Sequence, residues 1–329
     1  MKFAALIGTL VGIVLAGWLL ESYGFLRILA LLASAGWGLV PVIAFHGVQL
    51  VFSAAAWRFI AGPTPARPGL GGFMVLRLIR EGANNLLPVA QIGGEFIAAR
   101  LLRRRGVPLP LAVAGSVCDL TMEMMTQIGF TIFGLWLLLL TRDDANIVQT
   151  VESGLVVALA AGIGFLLAQW FGLAHLIEKF MLSMGGKFGV DFGEVEGLHR
   201  TLVGLYRAPR RLAAAAACHS LSWALGAVEV CLALHFLGHD VSLSAGFVIE
   251  SIGQALKAAG FAIPGALGVQ EGGYIVICQI FGVPPEVAIA LSIIKRLREV
   301  VLGIPSLITW NRLESKAGVA VPSEIGAAS

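Results

Sequence analysis

Pro88-Val89-Ala90-Gln91-Ile92-Gly93-Gly94-Glu95 is a polar, glycine-containing break between two apolar segments, each too short to cross a bilayer comfortably. It occurs twice. A shift of 176 residues carries Pro88, Ala90 and Glu95 onto Pro264, Ala266 and Glu271 without a gap. The same shift carries Gly106-Val107-Pro108 onto Gly282-Val283-Pro284, Ala112, Ala114 and Ser116 onto Ala288, Ala290 and Ser292, and Glu123 onto Glu299. Positions 83 to 123 hold 11 identities in this register. Alanine and glycine matches carry little weight in an apolar chain, but two prolines and two glutamates in one ungapped register mark an internal duplication.

Around this repeat the composition leaves one class. Only 13% of the 329 residues are charged and 57% are hydrophobic, with a mean hydropathy of +0.87. That is too little charge to cover a soluble protein of this size. Apolar stretches long enough to span a bilayer, roughly 20 residues each, run over 3–20, 37–57, 111–140, 151–170, 212–237 and 287–310. Ala33-Ser34-Ala35 has the small-x-small form of a signal cleavage site, but it lies well beyond the first apolar run, so a retained first span is expected. Cys118, Cys218, Cys231 and Cys278 show no paired short spacing, which points away from a metal site or a disulfide framework. The net charge of +3 comes from loops and reads as topology; no basic and aromatic run suggests nucleic acid.

Orientation follows from where Lys and Arg fall, because cytoplasmic loops carry the excess. With the N-terminus inside, Lys2, Arg58, Arg67, the Arg103-Arg104-Arg105 triplet, the basic residues of the linker over 172–211 and the tail's Arg312 and Lys316 all lie inside. Only Arg27 and Arg142 lie outside. This requires residues 70–102 to enter and leave on one face, as a re-entrant hairpin, and the same parity applies to 248–281. Each half then has three crossings, an odd number, so the second copy sits upside down. The expected fold is an all-α polytopic membrane protein of two inverted repeats, about six full spans and two broken-helix hairpins, with both termini cytoplasmic. Residues 1–145 form the first repeat, 146–311 the second and 312–329 a cytoplasmic tail; the external loops, 21–36 among them, are short.

Charge inside a bilayer is costly and is usually paired or functional. Arg77, Arg80, Glu81 and Asn84 recur on one face of the first half-helix, with Glu250, Gln254 and Lys257 in the second. After the first hairpin, Ser116, Asp119, Glu123 and Gln127 form a stripe; after the second, Ser292, Lys295, Arg296 and Glu299 do. The first stripe is acidic and the second largely basic, so inward-facing stripes are able to pair across the pseudo-two-fold axis; Asp119 and Glu123 either neutralise Arg77, Arg80, Lys295 or Arg296 and lock the bundle, or the hairpin apices hold a polar headgroup. The breaks at Gly93-Gly94 and Gly268 expose backbone N–H groups that favour an anionic headgroup. Glu95 and Glu271 are then either headgroup ligands or plain helix-start carboxylates. Expected headgroup-binding residues are Asn84, Asn85, Gly93, Gly94, Glu95, Gln270 and Glu271; expected cavity or gating residues are Arg77, Arg80, Glu81, Arg100, Asp119, Glu123, Glu250, Lys257, Lys295, Arg296 and Glu299. His46, His219 and His235 lack a second ligand at i+3 or i+4 and read as packing histidines, while Glu229 between two valines either pairs with a repeat charge or faces a cavity, and the sequence does not choose. No nucleophile elbow, phosphate-binding Gly-Lys motif or metal-spaced set occurs, so neither catalysis nor a cofactor is expected.

Asn84-Asn85-Leu86-Leu87-Pro88, the following Gly-Gly-Glu, Arg100 and the acidic span with Asp119 and Glu123 resemble the transmembrane region of lysylphosphatidylglycerol synthases, the flippase-like domain family. The wording of 81–95 and 261–274 is most similar to the branch associated with hopanoid biosynthesis. The resemblance implies a protein of the bacterial inner membrane that moves a lipid between leaflets, a hopanoid or an anionic phospholipid, in company with hopanoid biosynthesis proteins and with self-association left open. Larger relatives append an aminoacyl-transferring domain for which this chain is too short. A lipid-modifying membrane enzyme and a non-transporting scaffold are the competing readings. Glu123→Gln with Glu299→Gln is expected to stop lipid movement without unfolding the protein.

Overall fold

A computed structural model of the chain describes residues 14, 17–19, 21–87, 93–141, 197–259 and 266–318. Every regular element among them is helical: α1 Phe25–Ala35, α2 Leu39–Ala61, α3 Leu70–Leu86, α4 Gly93–Arg104, α5 Leu109–Thr141, α6 Leu198–Tyr206, α7 Pro209–Phe236, α8 Leu243–Ala259, α9 Val269–Ile280 and α10 Pro285–Gly318. Among the described residues, three stretches are long and apolar enough to cross a membrane: Phe25–Ala61, Leu109–Thr141 and Pro209–Phe236. They contain the spans expected over 37–57 and 111–140 and nearly all of the one over 212–237. The span expected over 287–310 lies within α10, whose central Lys295, Arg296, Arg298 and Glu299 make it less apolar. The spans expected over 3–20 (but for a few positions) and 151–170 lie outside the described residues, as do Pro88, Pro264, most of the linker and residues 319–329.

Local chemistry sets the same punctuation twice. α4 and α9 each hold 12 residues and are displaced by 176 at both ends, and α5 and α10 start 176 apart. The duplicated Gly-Val-Pro is a helix stop. Gly106 and Gly282 take left-handed backbone, φ 90° and 74°, which a side chain disfavours. The next N–H folds back: Val107 donates to the Leu102 carbonyl at 3.2 Å and Val283 to Cys278 at 3.0 Å, while both valines are buried. Proline then begins a new direction. At the end of α3, Leu87 is extended (φ −105°, ψ 149°), the conformation that a following proline imposes.

Packing pairs the elements across the halves. α2 lies on α7, α3 on α10 and α8 on α5, while α3–α4 and α8–α9 each pack as adjacent helices. Two apolar clusters result. Trp57, Phe73, Leu76 and Ile79 centre one, with the Trp57 and Phe73 rings edge-on at 5.3 Å; Val230, Leu234, Ile289 and Leu291 centre the other. Trp37, Leu26, Leu140 and Val276 stay exposed on the outside, as side chains facing lipid do. The arginines assigned to one side gather at one end, where Arg67 donates to the Gly62 carbonyl at 2.8 Å and Arg104 meets Glu314 at 2.6 Å. Arg27, assigned to the other side, pairs with Glu286 at 2.8 Å.

Two expectations are corrected. Residues 21–36 are not a loop: Phe25–Ala35 forms α1, an apolar helix that packs on α10. The isolated charges Glu21 and Arg27 hid it. The chain also stays helical past Arg312, to Gly318.

Candidate functional site

The face of α3 predicted from its spacing is where the first charge network forms. Arg77 donates from Nε to Glu81 Oε1 at 2.7 Å and grips both oxygens of Glu123, one contact measuring 2.8 Å. Arg80 reaches three carboxylates: Glu95 on α4 at 2.7 Å, Asp119 on α5 at 2.5 Å, and Glu123. Trp57 places its ring 5.5 Å from the Arg80 guanidinium, and His219 Nε2 sits 3.0 Å from the other Asp119 oxygen. Arginine suits this duty because its planar fork serves several carboxylates at once and keeps its charge when buried.

The second network uses the matching elements with the signs rearranged. Lys295 on α10 donates to Glu250 on α8 at 2.5 Å, and Gln254 donates to the other Glu250 oxygen at 2.8 Å. Arg296 donates to Glu271 at 2.6 Å, Ser292 reaches the same oxygen at 3.3 Å, and the Gly268 N–H donates to its partner oxygen at 2.7 Å. Lys257 donates to Glu299 at 2.5 Å and to Asn85 Oδ1 at 3.3 Å. The acidic and basic stripes therefore do not neutralise each other across the axis. Asp119 and Glu123 take arginines of their own half; Lys295 and Arg296 take glutamates of theirs. Each Arg and Lys of the two networks thus finds its carboxylates within its own half.

Between the networks lies a polar cavity of about 120 Å³, lined by helices of both halves. Arg77, Glu81, Asn85 and Glu123 face it from the first half, and Glu250, Lys257, Arg298 and Glu299 from the second. That is room for several waters or for the charged part of a headgroup. The lining carries three cations and four carboxylates, so it is matched to a mixed donor and acceptor group more than to a bare anion.

The expected residues divide accordingly. Arg77, Glu81, Asn85, Glu123, Glu250, Lys257 and Glu299 meet at the cavity. Arg80, Glu95, Asp119, Lys295, Arg296 and Glu271 stand behind it in the ion pairs. Asn84 caps the start of α4, its Oδ1 accepting from the Gly94 N–H at 2.8 Å; Gly93 opens that helix and Gln270 is buried in the first turn of α9. Among the described residues, the N–H groups of Gly94 and Gly268 at the breaks are thus occupied by the chain's own side chains. Gly94 must be glycine for a second reason, since a Cβ there would press on the Arg80 carbonyl oxygen. Arg100 lies apart, exposed and 3.4 Å from Glu314.

Sequence reasoning missed the contribution of α2 and α7. His46, Gln49 and Ser53 line the cavity from α2, with His219, Ser222 and Trp223 from α7. Glu229, for which the sequence left a repeat charge or a cavity open, holds Arg298, accepts from Gln49 and faces His46 at 3.4 Å. The signal was available: the 176 shift sends His46 to Ser222 and Ser53 to Glu229, and the contact between Ser53 and Ser222, 2.9 Å, is the mate of that between Glu229 and His46.

A family model described as the lysylphosphatidylglycerol synthase transmembrane region matches residues 5–305. A UPF0104 membrane protein of Methanothermobacter thermautotrophicus (strain Delta H) is 24% identical over 285 residues, covering 80% of this chain and 79% of the relative. No solved structure matches. With nearly the whole described helical body inside the matched region, the chain is a multi-pass membrane protein that belongs to the lysylphosphatidylglycerol synthase transmembrane region family.

Proposed function

We propose that this protein is a lipid translocase of the cytoplasmic membrane, in which two inverted repeats enclose a polar cavity that takes the headgroup while the acyl or hopane part stays in the bilayer. The cavity carries the reading. A chamber with seven charged side chains, drawn from both halves of an otherwise apolar helical body, is costly unless something polar passes through it. The gathering of Arg67 and Arg104 at one end, with Arg27 at the other, supports the re-entrant hairpins and cytoplasmic termini. The mixed lining favours a headgroup with hydroxyl groups beside its charge, which a polyhydroxylated hopanoid or phosphatidylglycerol offers.

Leaflet-resolved lipid analysis of a deletion strain tests this. Altered sidedness of one lipid with unchanged lipid chemistry is the expected result. A missing lipid species would mean an enzyme instead, and unchanged sidedness with disturbed lipid-enzyme assembly would mean a scaffold. The paired change Glu123→Gln with Glu299→Gln is less clean than it looked from sequence, because Glu123 holds both Arg77 and Arg80. Lys257 and Glu299 neutralise each other and can be removed together.

A further inference from the structure

We propose that the cavity has a second ligand, the proton, and that His46 carries the proton that couples lipid movement to a pH difference across the membrane. This rests on the translocase reading for its coupling, though not for the binding of the proton.

The charge balance leaves room for a proton. The two networks and the Glu229 group hold six cationic side chains against eight carboxylates among the described residues, two negative charges in excess with neutral histidines. Uncompensated charge in a low-dielectric interior is expensive, so the cluster draws in cations or protons. Two imidazoles stand against these carboxylates. His219 is sealed, 1% exposed, against Asp119. His46 lines the cavity, its side chain 14% exposed, where a proton can reach and leave it.

His46 also has the geometry of a proton-dependent bridge. Its Nε2 faces Glu81 Oε2 on α3 at 3.5 Å, and its Nδ1 faces Glu229 Oε2 on α7 at 3.4 Å. A neutral imidazole offers one N–H and one lone pair, so one ring nitrogen would turn a lone pair toward a carboxylate; the imidazolium donates to both. Nδ1 is buried and makes no hydrogen bond within the structure. The neighbouring groups do not replace it. Arg77 serves Glu81, Arg298 and Gln49 serve Glu229, Glu123 on α5 is taken by Arg77, and Glu250 and Lys257 of α8 are taken by α10. Losing the proton therefore dissolves the bridge between α3 and α7 while leaving both carboxylates their permanent partners, which is what a reversible switch needs.

The test reconstitutes the full chain in phosphatidylcholine vesicles with a trace of fluorescent phosphatidylglycerol and reads its leaflet distribution by dithionite quenching. At equal pH the probe should equilibrate evenly; with one pH unit across the membrane it should settle at a ratio of about tenfold, one proton per lipid. His46→Gln should return the ratio to about one, whereas His235→Gln, an exposed imidazole paired with Asp240, should keep it. Rapid but even distribution under the gradient in the native chain overturns the coupling and leaves the translocase reading standing. A probe that never moves counts against that reading, and the proton site is then judged directly from imidazole NMR of the native chain, the His46 signal being the one lost in His46→Gln. A protonation change of that signal that Glu229→Gln displaces supports the proposal; the absence of any protonation change overturns it.

Discussion

Glu95 and Glu271 occupy one position in the two halves, the first turn of the helix after the break, yet they are held in opposite ways. Glu95 is taken by Arg80 from the helix before the break, and its second oxygen is buried without a hydrogen bond. Glu271 turns one oxygen back to the Gly268 N–H and gives the other to Arg296 and Ser292 from the long helix after it. The whole half follows suit. In the first half α3 supplies arginines and α5 supplies acids; in the second half α10 supplies Lys295 and Arg296, and Asp119 and Glu81 have become Lys295 and Lys257. The duplicated backbone tolerates inverted charge because each Arg and Lys of the two buried networks finds its carboxylates within its own half, so a sign change needs only a nearby partner to follow.

Breaking the first network should cost most. Arg80→Met leaves three buried carboxylates short of a partner and is expected to destabilise the protein by about 3–5 kcal/mol. Arg296→Met, at a side chain 22% exposed, should cost about 1.5 kcal/mol. Thermal unfolding in detergent compares the two, and equal losses would undo the asymmetry. Next comes the tight approach at the first break. Gly94→Ala drives a Cβ against the Arg80 carbonyl and should cost about 1–3 kcal/mol, while Gln270→Ala, at the matching position, meets no such constraint. Asn84→Ala removes only the cap on the Gly94 N–H, about 1 kcal/mol, visible as faster hydrogen exchange at the start of α4. The smallest effect belongs to Arg104→Ala, whose partly exposed pair with Glu314 should change stability by less than about 1 kcal/mol.

Much of this was legible in the residues. Proline, glycine and valine at fixed spacing specify where helices stop, and such local chemistry survives duplication; hence the 176 offset predicts the bounds of α4, α5, α9 and α10. The face of α3 followed from i, i+3 and i+4 spacing. Which charges would pair did not follow, because spacing gives the face of a helix and not its distance from another helix. The α2 and α7 residues were missed for a related reason: His46, Ser53 and Glu229 are single polar groups in apolar runs, unremarkable until α2 and α7 are laid side by side. Arg100 showed the converse, a charge near the repeat that packing leaves on the surface.

The central claim is that the cavity shared by the two halves is the path of a lipid headgroup. Lys257→Met with Glu299→Gln removes a matched pair from its wall, so folding should be close to native while the lining loses a donor and an acceptor. Dithionite-resolved movement of fluorescent phosphatidylglycerol in vesicles should slow at least about tenfold, the loss of one charge-assisted contact of about 1.4 kcal/mol or more. An unchanged rate from a protein with unchanged unfolding temperature would contradict the account.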